Sequence, residues 1–138
     1  MTYRKYDDLR IGQTFPDQPA MFHVNEACIH GFRDVLRGAA RGEVASKGDI
    51  APPMLAAVYI RPAQNALKGP PGGVHAKQVF QFHCPVKAGD VLSTTLEVLE
   101  KYDRKGRRYL VSGTRTTNQQ GTVVTTGRIV SIWGKEDA

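Results

Sequence analysis

A stretch headed by paired prolines, Ile50 to Leu67 (IAPPMLAAVYIRPAQNAL), limits the folds open to this chain. Proline is tolerated in the first turn of a helix, where no backbone N–H has an intrahelical partner. Pro52-Pro53 therefore reads as a helix start. Behind it, Met54, Leu55, Val58 and Leu67 recur at near-helical spacing, with Ala56, Ala57, Ala63 and Ala66 between them. A helix this rich in apolar and small residues needs a wide apolar surface to lie against. Pro62 breaks or bends it near Ile60, because its ring leaves no N–H and clashes one turn back. The expectation is a first piece over Pro53–Arg61 and a shorter piece beyond.

The wide surface follows. Four segments between Val74 and Trp133 read as strands. Val74 to Val86 is only partly alternating, and Pro85 near its end marks an edge or a bulge. Val91 to Tyr102 alternates best, with Leu92, Thr94, Leu96, Val98 and Glu100 expected on one face. Asp103 to Gly106 closes a hairpin into Arg107–Asn118. Gln119-Gln120-Gly121 is a second tight turn, into Thr122–Trp133, and GKEDA reads as a frayed tail. Ahead of the proline-headed helix, Ala20 to Val24 is a short strand, and Asn25 N-caps a helix over Glu26–Leu36 with Ile29, Phe32 and Leu36 as its stripe. Gly38 to Asp49 is a loop by composition. The predicted architecture is α+β: one antiparallel sheet around a central helix, in one domain spanning 1–138.

The 138 residues suffice for a real core. No apolar run approaches the ~20 residues of a membrane span, and the first residues carry no apolar leader, so a cytoplasmic protein with no membrane partner is expected. Cys28 and Cys84, the two cysteines, read as reduced thiols, and no Cys/His spacing suggests a metal. The net charge of +6 favours anionic partners, either nucleic acid or a phosphorylated ligand such as coenzyme A. The basic residues are scattered except for Arg104–Arg108 at the hairpin, which reads as a solvated turn, so no nucleic-acid partner is expected.

PVKAGDVLSTTLEV following VHAKQVFQFH resembles the MaoC-like branch of the hot-dog fold, which includes (R)-specific enoyl-CoA hydratases and acyl dehydratases. The family has an aromatic strand and then a Pro-Val/Leu-x-x-Gly-Asp turn, matched here by Phe80, Phe82, Pro85, Val86, Gly89 and Asp90. FHVNEACIHGF resembles the family's entry into its first helix, and GTVVTTGRIVSIW its last strand. The resemblance runs from about Tyr6 to Trp133. It implies a hot-dog domain acting on acyl thioesters of coenzyme A or a carrier protein, with no other cofactor. It also implies a homo- or hetero-oligomer with a second hot-dog subunit, the acyl chain lying at the subunit interface.

The departures carry as much meaning. The family's hydratases have Asp-x-Asn-Pro-x-His after the first helix, whose Asp and His activate water and move a proton at the thioester α-carbon. Residues 37–49 here hold Glu43 and Asp49, with no Asn-Pro and no His. The family's central helix begins His-Gly, the Gly N–H polarising the thioester carbonyl. Pro52 and Pro53 occupy those positions. This pattern resembles the N-terminal, non-catalytic half of double hot-dog dehydratases, which holds the acyl tail while its neighbour supplies the chemistry. Asp49 is then either a charge balance for the central helix or a relocated base; His75 is either a structural histidine or its partner. His75 and His83, eight apart, should share a face. His23 and His30 read as surface or capping residues, and Asp90 as a turn residue. Substrate contacts are expected from Met54, Leu55, Val58, Phe80 and Phe82, and phosphate contacts from Lys77, Lys87, Arg107 and Arg108. Three readings stand: the acyl-binding partner subunit of a hydratase, a binding or assembly module without chemistry, and a thioesterase using Asp49 or Glu43.

Overall fold

The computed structural model of the chain describes residues 2–37 and 50–136. The expected loop from Gly38 to Asp49, including Glu43 and Asp49, lies outside the described residues. A 3-10 turn at Tyr6–Asp8 leads into β1 (Thr14–Phe15) and β2 (Met21–His23), and then α1 (Glu26–Arg37). Asn25 caps α1 as expected, its Oδ1 accepting from the Cys28 N–H at 2.7 Å. Ile29 is buried and Phe32 packs beside it; the Leu36 side chain lies outside the described residues.

The central helix is segmented. A 3-10 turn at Pro53–Leu55 runs into α2 (Ala56–Tyr59), and α3 (Arg61–Asn65) follows. The break falls at Ile60, where Pro62 denies the ladder an N–H. The Ile60 carbonyl is not lost: it accepts from Ala63 at 3.1 Å and Gln64 at 3.2 Å. Leu55, Ala56, Tyr59, Ile60 and Ala63 form the buried stripe, while Met54 is half exposed. The sequence pattern had put Met54 in the apolar row. The helix instead presents alanines to the sheet, whose small side chains let it lie close, and turns Met54 outward.

Four long strands follow: β3 (Val74–Phe82), β4 (Val91–Arg104), β5 (Arg107–Thr117) and β6 (Val123–Ile132). They form an antiparallel sheet in the order β1-β4-β5-β6-β3, with β2 also on β4. Leu92, Thr94, Leu96 and Val98 of β4 are buried, so the alternation holds to that point. Glu100 does not join them. A bulge at Leu99 sets two residues against one, so the alternation changes phase, and Glu100 reaches Arg128 at 3.8 Å. Lys101 then turns inward and donates to the Tyr6 and Leu9 carbonyls, each at 2.8 Å.

The core lies between the inner face of the sheet and the helices. Leu55, Ile60, Leu92 and Val124 make one cluster, and Phe15, Ala63, Leu96 and Leu110 the other. Each large side chain in it contributes about 1.5–3 kcal/mol by burial, as an upper figure. The tail is not frayed as far as it is described. The Glu136 carboxylate accepts from the Tyr6 N–H at 2.5 Å and the Trp133 indole N–H at 3.0 Å, and faces Arg108 at 3.8 Å. This pins the last strand to the first turn.

Candidate functional site

The inner face of the sheet can be followed in rows through the register. Thr94, Thr116, Thr125 and Phe82 form one row across β4, β5, β6 and β3. Val98, Ser112, Ile129 and Gln78 form another. Beyond Gln78, a bulge at Ala76 shifts the pairing, so that His75 faces Ser131. The bulge reverses the expected parity of the histidines. His75 joins the inner-face row of Leu110 and Ser131, while His83 lies 2.9 Å from Thr126 Oγ1, on the row opposite Gln81. The two histidines do not share a face.

A cavity of about 290 Å³ opens at the head of the central helix. Ala51, Pro52 and Pro53 form one wall, and Phe82, Cys84, Pro85 and Val86 the other. Tyr59 and Thr125 reach it from α2 and β6. The chain is held in this geometry by the Ala51 N–H donating to the Val86 carbonyl at 2.7 Å and by a bridge between Ile50 and Lys87. Most of the lining carries no charge or polar side-chain atom, which suits an apolar ligand group. The polar exceptions are the exposed His83 ring and the buried Tyr59 and Thr125 hydroxyls, which hydrogen-bond each other. Burial pushes the Tyr59 phenol above its ordinary value of 10.0, and its bond to Thr125 opposes that. Burial likewise raises the Cys28 thiol. Both Cys28 and Cys84 are free.

His75 lies at the other end of β3, about 20 Å along a strand that rises ~3.3 Å per residue. There it lines a second cavity of about 340 Å³ with Arg61, Gln64, Asn65 and Ser131. Ile50, the chain neighbour of Asp49, is at the first cavity, so His75 and Ile50 belong to opposite ends of the inner face. Of the expected substrate contacts, Phe82 lines the first cavity, and Phe80 packs against it with ring centroids 5.8 Å apart. Leu55 is a core residue and Val58 packs on the same cluster, while Met54 is exposed beside Pro53. Lys87 adjoins the cavity next to Val86, whereas Lys77 stands on the exposed β3 and Arg107 and Arg108 lie at the far end of the sheet. Asp90 is a turn residue: its carboxylate accepts from the Lys87 N–H at 2.8 Å and the Gln119 amide at 3.0 Å. Among the described residues no group of His, Cys, Asp and Glu is arranged to hold a metal ion. No helix among them is long and apolar enough to cross a membrane.

Tyr59, Thr125 and Cys84 are the site residues that sequence reasoning missed. Tyr59 left one signal. It is the sole aromatic residue among the aliphatic side chains from Ile50 to Leu67, and a buried tyrosine hydroxyl needs a polar partner.

The comparisons with known proteins agree with this geometry. The model of the family described as FAS1-like, dehydratase domain region matches residues 37–127. The chain is 29% identical over 137 residues to the UPF0336 protein of Saccharopolyspora erythraea, covering 88% of this chain and 87% of that one. It is similar to the R-hydratase PhaJ1 of Pseudomonas aeruginosa in its unliganded form, with a TM-score of 0.72 and 28% identity over 95% of this chain and 86% of that one. The HadBC (3R-hydroxyacyl-ACP dehydratase) complex from Mycobacterium tuberculosis shares the fold, with a TM-score of 0.67 and 24% identity over 88% of this chain and 96% of that one. The hot-dog fold of MaoC-like dehydratases and (R)-hydratases, expected from the sequence, is the fold found.

Proposed function

Since this chain belongs to the FAS1-like dehydratase family, we propose that it is the acyl-binding partner subunit of a hydratase, holding an acyl thioester for a second hot-dog chain that carries the acid–base pair. One observation carries the reading. The cavity at the head of the central helix is walled by Pro52 and Pro53. Neither proline has an N–H to give a thioester carbonyl at that point. A wall that binds without polarising suits a holding role, because rate acceleration needs donors placed where charge develops. The largely uncharged lining suits an acyl chain.

The partner's place is β3. It pairs with β6 on one side, and among the described residues nothing pairs with its other edge. Val74, Val79 and Phe82 on it are 54%, 44% and 47% exposed. A nine-residue strand with an open edge and exposed apolar side chains is a template for another strand. Lys87, exposed and next in the chain to the lining residue Val86, is a cation that suits a phosphorylated carrier.

The test is co-expression with a MaoC-like chain of the same genome that carries Asp-x-Asn-Pro-x-His. A stable complex that hydrates crotonyl-CoA is expected. Failure of the chains to co-purify, with full activity in the second chain alone, would overturn the reading.

A further inference from the structure

We propose that the paired hydroxyls of Tyr59 and Thr125 donate a hydrogen bond to the carbonyl oxygen of the acyl thioester in the Pro52–Pro53 cavity. The proposal rests on the acyl-binding reading and names the group that fixes the ligand's orientation.

Most donors along the cavity wall are absent or already spent. Pro52, Pro53 and Pro85 line the cavity and have no N–H. The Ala51 N–H is given to the Val86 carbonyl at 2.7 Å. The N–H groups of His83 and Cys84 are given to the Val124 carbonyl at 2.9 and 3.4 Å. The His83 ring holds Thr126 Oγ1 through Nε2 at 2.9 Å and stands exposed, so it offers no buried donor. Tyr59 and Thr125 are the buried side chains of the lining that carry a hydroxyl. Each hydroxyl has one hydrogen and two lone pairs. Their mutual bond uses one hydrogen of the two, and among the described residues neither side chain makes another hydrogen bond. One hydrogen is therefore unspent, on a pair that is 3% and 2% exposed and borders the cavity.

A buried donor without an acceptor is costly, so a ligand that supplies an acceptor there gains affinity. Thr94 and Thr116 make a similar hydroxyl pair at 2.7 Å on the same row, but neither lines the cavity. Reachability singles out Tyr59 and Thr125. A phenol is protonated at neutral pH, and burial pushes Tyr59 further above its ordinary 10.0, so the donor is present under working conditions. Either hydroxyl can hold the outward hydrogen, because the pair can reverse its internal bond. An acceptor oxygen on an otherwise apolar chain is the matching ligand chemistry. In an acyl thioester that oxygen is the carbonyl, whether the thiol belongs to coenzyme A or to a carrier protein.

The experiment compares butyryl-CoA with S-butyl-CoA, which has a methylene in place of the carbonyl, by calorimetric titration of the purified chain. The unmodified chain should bind butyryl-CoA about three- to tenfold tighter, the worth of one neutral hydrogen bond. The double variant Tyr59→Phe/Thr125→Val should bind the two equally. The double variant is used because either hydroxyl alone retains a hydrogen to donate. Should it fail to fold, infrared spectra of [1-¹³C]butyryl-CoA bound to the unmodified chain decide the matter. The carbonyl stretch should lie below its value in an apolar solvent, and an unshifted stretch overturns the proposal. An equal preference in the chain and its variant overturns the proposal and leaves the acyl-binding reading standing. If neither coenzyme A derivative binds, both fall.

Discussion

Tyr59 is the residue in which position and chemistry meet: its ring packs 6.3 Å from Phe22 in the core, and its hydroxyl faces the cavity. A phenol whose ionisation is pushed up on folding stabilises the fold below its ordinary value of 10.0, and that contribution is lost as pH rises through the folded value. Burial also raises Tyr6. Ultraviolet titration should therefore show Tyr6 and Tyr59 ionising above the ordinary 10.0, with stability falling above pH 10. Replacing Tyr59 by Phe should remove one late ionisation and soften that alkaline fall. Glu136 works in the opposite sense. The Tyr6 N–H bond, opposed by desolvation and joined by the Trp133 bond and Arg108, holds its carboxyl below the ordinary 4.5. Its contribution is present above pH 4.5 and is lost as pH falls through the lower, folded value. Glu136→Gln should flatten the acid limb of a plot of Tm against pH in that window and lower Tm slightly at pH 7. An unchanged acid limb would show that the tail clasp adds nothing to stability.

At the scale of elements, the β4–β5 hairpin offers the sharpest test of local chemistry. Arg104 pairs with Arg107, and the turn residues Lys105 and Gly106 have φ of 52° and 76°. Both lie in the left-handed region that a two-residue hairpin turn of this hand requires. Glycine suits it and lysine does not. Lys105→Asn should stabilise the protein by a few tenths to about 1 kcal/mol, and Gly106→Ala should destabilise it by about 1 kcal/mol or more, in urea denaturation. The strands and turns were legible in the sequence because alternation and Gly-containing turns are local signals. The Asn25 cap and the break before Pro62 were legible for the same reason. What escaped were the bulges at Ala76 and Leu99, since an extra residue in a strand leaves no local mark. Each one redirected a prediction: His75 away from the face of His83, and Glu100 away from the buried row. The Tyr59–Thr125 pair escaped because it joins residues 66 apart in sequence, which only the sheet register brings together.

For the whole molecule, the account rests on an open edge and a proline-walled cavity. The exposed β3 edge predicts association, so light scattering at micromolar concentration should give a mass well above 15.2 kDa, and a single species of 15.2 kDa would contradict it. The chemistry follows from the sequence around the cavity. No His lies between Arg37 and Asp49, and Pro52 and Pro53 bring no N–H to the cavity they wall. General acid–base help is typically worth ~10²–10⁴-fold in rate and one oxyanion donor ~10²–10³-fold, and groups that act as a unit do not add. On the proposed function, absence of even the smaller leaves a feeble enzyme, while Phe82, Val86 and Pro52 still wall an apolar cavity. The direct measurement is steady-state hydration of crotonyl-CoA by the purified chain alone, with binding of the same thioester measured in parallel. Binding without measurable hydration is the predicted result. Turnover near the ~10 s⁻¹ typical of enzymes would contradict it.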